Sequence, residues 1–240
     1  MLTLHCKSVN RNKFLVMVVK KKQSAHRTPL SRDRILKAAI NLAGKEGIDS
    51  ISMRKIAQTL KVEAMSLYNH VGNKEDLLDG MVDRVASGIE LPDIGGDWKK
   101  SFRKRANSAH AVLLKHPWAS MLILSRINVG PAMLAYVNAT IGCLREAGFT
   151  YAMADHAWNA VDNHIYGFTL QVLNFPFEPS EYANAAKAFL PMIPEQEFPH
   201  LRGMAIEVIE GRHHGVQDFE FGLELILDGL ERLLAIQKRS

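Results

Sequence analysis

Residues 51–71, ISMRKIAQTLKVEAMSLYNHV, decide the fold. The first half carries an apolar stripe at helical spacing, Ile56, Ala57 and Leu60. The stripe breaks at Lys61-Val62 and a second, shorter one begins with Leu67, Tyr68 and Val71. That second run is about two turns long. It carries Ser66, Tyr68, Asn69 and His70, all hydrogen-bonding groups, and so short a helix has little reason to carry them unless something outside the chain answers them.

The surrounding sequence supplies the frame. Ile35, Leu36, Ala39, Leu42 and Ala43 give a preceding helix over 31–46, with Ser31 as N-cap, Asp33 in the first turn and Gly47 as stop. The spacing then predicts helices over 52–60 and 64–70, a turn at 71–73, and a long helix over 73–89 capped by Asn73, with Asp76 at the capping-box position. Two short helices joined by a tight turn, with a longer helix across both, form a helix-turn-helix unit, whose second helix lies in the DNA major groove. Phosphates and base edges are the partners that Ser66, Tyr68, Asn69 and His70 require. Ala57 lets the two helices approach, and Leu67 and Val71 are expected to bury against Ile56 and the first helix.

Charge agrees. The 240 residues carry a formal +5. Residues 1–90 hold 16 Lys and Arg against 9 Asp and Glu, whereas 91–240 hold 14 against 16. A basic end on a slightly acidic body fits a polyanion-binding unit with a second part of different purpose. Residues 1–28 read as a flexible basic arm, 29–90 as the helix-turn-helix unit, and 91–240 as a helical body, the boundary falling at LPDIGG, 91–96. In the body the spacing predicts helices over 98–114, from 117, and over 132–147, 152–173, 180–190, 201–210 and 217–237, with a loop at 191–200, where three prolines stand. Strand alternation is nearly absent, so the chain reads as all-α. Two cysteines, Cys6 and Cys143, form neither a disulfide framework nor a zinc spacing. No apolar run approaches the roughly 20 residues of a membrane span, so a cytoplasmic protein is expected.

Residues 32–78, RDRILKAAINLAGKEGIDSISMRKIAQTLKVEAMSLYNHVGNKEDLL, resemble the DNA-binding domain of the tetracycline-repressor (TetR) family, and CLREAGF at 143–149 followed by a long helix is similar to its ligand-binding half. The resemblance implies a homodimeric repressor, released from a palindromic double-stranded DNA operator by a small-molecule inducer. It implies that Arg54, Ser66, Tyr68 and His70 reach bases or phosphates and that Lys74 meets a phosphate at a helix N-terminus. Ala64, Met65 and Asn69 depart from the tetracycline repressor, so the operator is expected to differ. Lys61 occupies a turn position often held by Gly. Aligned from Trp98, Arg105 stands where the tetracycline repressor uses an asparagine on the drug, and Ile123 where it uses a histidine on magnesium. Ile has no lone pair for a metal, so neither metal nor cofactor is expected.

For the body, Phe102, Arg105, Trp118, Met121, Tyr136, Trp158, Asn163, His164 and Phe168 are candidate pocket residues, since polar groups interrupt the apolar stripes there. Each also suits an ordinary core, and His164 a core or interface histidine. The last helix, with Leu223, Ile226, Leu230 and Leu233 on one side and Leu227 and Leu234 beside them, is too wide to bury in one thin bundle. It is expected to pair with its mate and with helix 152–173. A ligand wedged near Trp98, Phe102 and Arg105 would push the end of helix 73–89. An enzyme would need a convergent acid-base or metal set; Asp155, His156, Asp162 and His164, or His213 and His214, come nearest but lack a third element. A ligand-independent DNA-binding or architectural protein is the alternative reading.

Overall fold

Eleven α-helices and no strand make up the described residues, 29–213 and 218–239 of a computed structural model. The expected basic arm and His214 lie outside them.

The chain begins its first helix, α1 (Arg32–Glu46), where the Ser31 hydroxyl accepts from the Arg34 amide, and ends it at Gly47, whose φ of 81° few other residues would adopt. Helices α2 (Met53–Leu60) and α3 (Ala64–Leu67) follow, with Ser52 capping α2. The turn between them closes on Lys61 in left-handed geometry, φ 56° and ψ 48°. That conformation costs a β-carbon-bearing residue about 1 kcal/mol. Lys61→Gly is therefore expected to raise stability by up to about 1 kcal/mol, the glycine's greater unfolded-state entropy offsetting part of the gain; urea unfolding measures it.

The expected third helix, 64–70, is shorter than the spacing predicts. Regular α-helix stops at Leu67, and the amides of His70 and Val71 both turn back to its carbonyl, at 2.9 and 3.0 Å. Leu67 and Val71 are buried with Ile35, Ile56, Leu77 and Met81. Those two anchors hold the short segment down while its remaining side chains face outward.

Helix α4 (Lys74–Ala86) packs on α1 and, along its length, on the body helices α6 (Ala119–Leu124) and α7 (Pro131–Ala147). Two devices fasten it. Asp83 Oδ1 accepts the Met133 amide at 3.0 Å, doing for α7 what an N-cap side chain would. Gly130, the residue at the cap itself, must be glycine, because a β-carbon there would stand 2.2 Å from the Asp83 carboxylate. Arg126, in the loop before α7, reaches Asp79 and Glu75, both at 2.7 Å. The far end of α4 meets α5 (Trp98–Lys115) through Ser108, whose hydroxyl accepts the Glu90 amide at 2.9 Å, and through Val112 beside Gly88. The end of the expected helix 73–89 thus meets the helix that follows Trp98, at Ser108 and Val112 rather than beside Trp98, Phe102 and Arg105. Trp98 packs on Phe149 and Phe102, with ring centroids 5.1 and 6.2 Å away.

Helices α5, α7, α8 (Tyr151–Asn174) and α11 (Phe219–Gln237) pack together as the body. Lys99 pairs with Asp228 and Glu231, and Arg103 forks onto Glu224, tying α5 to α11. Helices α9 (Tyr182–Phe189) and α10 (Pro199–Ile209) pair with each other. Pro199 opens α10 at its first position, where a missing N–H costs nothing, so part of the expected loop 191–200 is helical. Between α9, α10 and the chain leaving α8 lies an apolar cavity of about 210 Å³, lined by residues including Phe175, Phe177, Tyr182 and Phe189. No helix is long and apolar enough to cross a membrane among the described residues.

The body's last helix keeps apolar residues outside as well as inside. Leu223, Leu227, Leu230 and Leu234 are buried within the chain, while Phe221 and Leu225 are 65% and 61% exposed and Leu233 is exposed beside them.

Candidate functional site

Two places in the chain can do chemistry on a partner. At the first, α3 presents Met65 at 74% and Tyr68 at 44% exposure, with Asn69 also exposed and Ala64, Ser66 and His70 half-buried. Arg54 on α2 and Lys74 at the first residue of α4 are exposed as well. Ser66 has a local partner: its hydroxyl donates to the Glu63 carbonyl at 2.6 Å, which leaves its lone pairs, rather than its hydrogen, for an outside group. The turn that sets Lys74 is held from α1. Arg32 grips Asp76 with both nitrogens, at 2.8 and 2.6 Å, and also donates to the His70 carbonyl. Asp76 in turn accepts from the Gly72 amide at 2.7 Å, and its own amide donates to Asn73 Oδ1 at 2.8 Å. The Arg32 bond, then the Gly72 amide, hold the Asp76 carboxyl below the usual range. Asn73 caps the Asp76 amide as a capping box requires, but the Asp76 carboxylate takes the Gly72 amide, one residue before the cap, and spans 44 residues to Arg32 of α1.

The second place is inside the body. Arg105 is wholly buried, its guanidinium carbon 4.7 Å from the Phe102 ring centroid and 5.3 Å from that of Tyr136. Its Nη1 donates to the Tyr136 hydroxyl and, at 2.8 Å, to Asp162 Oδ1. Asp162 Oδ2 accepts from Trp158 Nε1 at 2.6 Å. Burial opposes the charge on Arg105, but Tyr136 and Asp162 outweigh it and its pKa is raised. Burial pushes the Tyr136 and Tyr166 phenols up, so both stay neutral, and pushes the Cys143 thiol up to about 11.

The nine candidate pocket residues therefore divide. Phe102, Arg105, Tyr136 and Trp158 come together on Asp162. His164 and Phe168 belong to another cluster: His164 Nε2 meets the Phe219 carbonyl at 2.9 Å and its ring stacks on Phe219, while His110 stacks on Phe219 at 4.3 Å. Gly222 makes room for His164, since a β-carbon there would lie 2.5 Å from the imidazole. His164 thus ties α8 to α11. Trp118 is buried beside His116. Met121, at 59% exposure, and Asn163 lie on the surface of this chain, because α6 and α8 bury Ser120, Ile123, Asp162 and Ile165 instead. The Asp155–His164 set does not converge: Asp162 is engaged with Arg105, Tyr136 and Trp158, and Asp155 with Asn159. No group of three metal-ligating side chains occurs among the described residues.

The His110 cluster has a pH consequence. Thr169 gives its hydrogen to the Ile165 carbonyl at 2.5 Å, so His110 Nδ1 donates to it, at 2.7 Å. Burial, then the neighbouring His164, lower the His110 pKa below 6.5. A depressed histidine contributes stability that is fully present above its unfolded pKa and is lost as pH falls below it. Melting temperature is expected to fall between pH 7 and 5, and less steeply in His110→Gln, which keeps a donor and cannot titrate. Equal slopes in the two proteins would count against this.

Arg32 is not marked by the sequence, and Asp162 is marked there only as part of an acid-base set, not as the partner of Arg105. Arg105 stands in the apolar stripe Phe102, Ala106, Ala109, Leu113, where a cation needs an acid, and Trp158-x-x-x-Asp162 sets such an acid on a buried helix face; that pair of signals was available.

Residues 35–81 match the family described as "Bacterial regulatory proteins, tetR family", and residues 91–234 match "Tetracyclin repressor-like, C-terminal domain". An HTH-type transcriptional regulator of Saccharopolyspora erythraea is 37% identical over 147 residues, 61% of this chain; the chain spans 62% of that relative's length. The HTH-type transcriptional repressor DrrR1 of Streptomyces coeruleorubidus is 30% identical over 221 residues, covering 88% of this chain and 80% of that one. The crystal structure of the TetR family protein ActR from Streptomyces coelicolor in complex with actinorhodin superposes with a TM-score of 0.72 at 29% identity, over 86% of this chain and 99% of that chain. With one match over the reading helices and another over most of the body, this chain belongs to the tetR family of bacterial regulatory proteins.

Proposed function

We propose that the chain is a homodimeric transcriptional repressor that binds a palindromic operator through α3 and leaves it when a small molecule occupies the body. The observation that carries this is the mounting of α3: two buried anchors, Leu67 and Val71, beneath an exposed row of Met65, Tyr68 and Asn69, on a unit whose α4 is fastened to the body. That DrrR1 is named a repressor and that ActR is seen with a small molecule supports the ligand-released reading. The domain division at 91–96 and the setting of the protein in the cytoplasm, where its operator is, belong to the same proposal.

So short a reader covers few base pairs, so two copies are needed. Their half-sites would lie about one helical turn apart, roughly 34–36 Å. Signal from the body reaches the reader through α4. The contacts that would carry it are Asp83 on α7 and Arg126 on Glu75 and Asp79, rather than a wedge at Trp98. A ligand favouring the non-binding arrangement by about 100-fold at each of two sites supplies the roughly 5.5 kcal/mol that reverses a 1:99 population.

Operator selection from random duplexes, followed by titration at several salt concentrations, tests the DNA assignment. Lys74→Ala is expected to weaken all sequences alike and to lower the salt slope by about one. Tyr68→Ala is expected to weaken the selected operator by about 1–3 kcal/mol. A change of preferred bases in Lys74→Ala would contradict its assignment to a phosphate.

A further inference from the structure

We infer that the small molecule meets Arg105 through a neutral oxygen acceptor, a ketone-type carbonyl carried on an aromatic body, and not through a carboxylate. This rests on the reading of the body as a ligand-binding domain.

The argument begins with unanswered hydrogen-bond donors. Arg105 is fully buried, and its Nε and Nη2 atoms have no partner among the described residues. Its Nη1 is already engaged by Tyr136 and Asp162. In a planar guanidinium, Nε–H and one Nη2–H point the same way from the same edge, as a fork. So one edge of Arg105 is answered from within and the opposite edge presents two parallel donors that none of the described residues answers. Buried polar groups are nearly always satisfied, and unpaired donors on a cation are the costlier kind. Three other buried side-chain atoms also lack partners, Trp118 Nε1, Ser120 Oγ and Asn128 Oδ1, and each is a single atom. Arg105 is the one that presents a pair.

Charge then decides which acceptor fits. Asp162 stands 2.8 Å from Nη1 and balances the guanidinium. Tyr136 stays neutral, so the cluster sums to zero. A carboxylate on the free edge would put a second anion into a buried site that holds one cation, and its desolvation would go uncompensated. An uncharged oxygen takes both N–H groups without that cost. The surroundings favour a flat apolar body: Phe102 and Tyr136 flank the guanidinium, and Trp158 is held to Asp162 by its indole N–H. Trp158 is only half-buried and the Asp162 side chain is 13% exposed, so the cluster lies one side chain from solvent along α8.

The test uses matched probes with the whole protein: 2-acetylnaphthalene, 2-ethylnaphthalene and 2-naphthoate, and the larger set fluorenone, fluorene and fluorene-9-carboxylate. By calorimetry, the ketone of at least one set is expected to bind about tenfold tighter than both its hydrocarbon and its carboxylate, the worth of one hydrogen bond to a charged group. Its infrared carbonyl band is expected to move to lower wavenumber on binding. Removing the ion pair whole, as Arg105→Met with Asp162→Leu, avoids stranding a buried charge, and helical content and melting confirm that the variant is folded. In it the ketone's advantage over the hydrocarbon and the carbonyl shift are both expected to vanish. A carboxylate that binds as tightly as its ketone, a ketone advantage that survives the double substitution, or failure of both ketones to bind would each overturn the inference. Operator binding by the ligand-free wild type is measured alongside. If that is absent, the DNA-binding reading itself fails; if it is present, the failure belongs to the ligand class alone.

Discussion

Phe221→Glu together with Leu225→Glu is expected to yield a monomer that no longer holds its operator. Both side chains are exposed, 40° apart on the outer face of α11, while the inner face of that helix is filled by Leu223, Leu227, Leu230 and Leu234. Glutamate at the outer positions therefore leaves the fold of the single chain intact and puts four charges into the contact between two chains. Asn163 and Gly167, exposed on α8, belong to the same bundle and are its expected neighbours there. With one reading helix per molecule, the second half-site is no longer bound intramolecularly, and affinity should drop by about 10²–10⁴. Sedimentation gives the mass, and mobility shift gives the affinity. A variant that stays dimeric and keeps its operator would place the dimer contact elsewhere.

Asp162→Ala is expected to destabilise the protein by about 3–5 kcal/mol, because it strands the wholly buried Arg105. Tyr136→Phe, which removes one neutral partner and leaves the acid, should cost only about 1 kcal/mol. The double replacement Arg105→Met/Asp162→Leu should lie nearer to wild type than the single Asp162→Ala does, since no charge is left unpaired. Urea unfolding of the three variants orders them. A cost below about 1 kcal/mol for Asp162→Ala would mean that Arg105 finds water or another acid, and that the cluster is wetter than its geometry implies.

Most of the fold could be read from the sequence, because helical caps and stripes are local signals. Ser31 and Asn73 each cap the helix they were expected to cap, and the apolar stripe of α1 is the buried one residue for residue. Lys61 takes the left-handed turn that its place between two stripes requires. What escaped was non-local. The grip of Arg32 on Asp76 and the Asp83 cap on α7 join residues 44 and 50 positions apart, and no periodicity marks them. Asp162 shows in the sequence only as one of an incomplete acid-base set, because its partner lies on α5, 57 residues earlier. The split of the candidate pocket into an Arg105 group and a His164 group has the same origin: Asp162 and His164 stand two positions, about 200°, apart on α8 and so face different neighbours, Arg105 and Tyr136 for the one and Phe219 of α11 for the other. Which face of α11 stays exposed was not legible, since both sides of that helix are apolar and composition alone does not say which one its own chain covers.

The Asp83 cap bears on protein engineering. Reading heads are attractive parts to exchange between related regulators, with the junction placed in the loop at 91–96. Here such an exchange would carry away the carboxylate that starts α7 and the Glu75–Asp79 landing place of Arg126, while leaving behind Gly130, shaped to admit Asp83 and nothing bulkier at its own β-position. A hybrid built at that junction inherits a body helix without its first-turn acceptor and a transmission joint without its teeth. A donor head that brings acids at the positions of Glu75, Asp79 and Asp83 should give a switchable hybrid; one that lacks them should bind DNA and ignore the inducer.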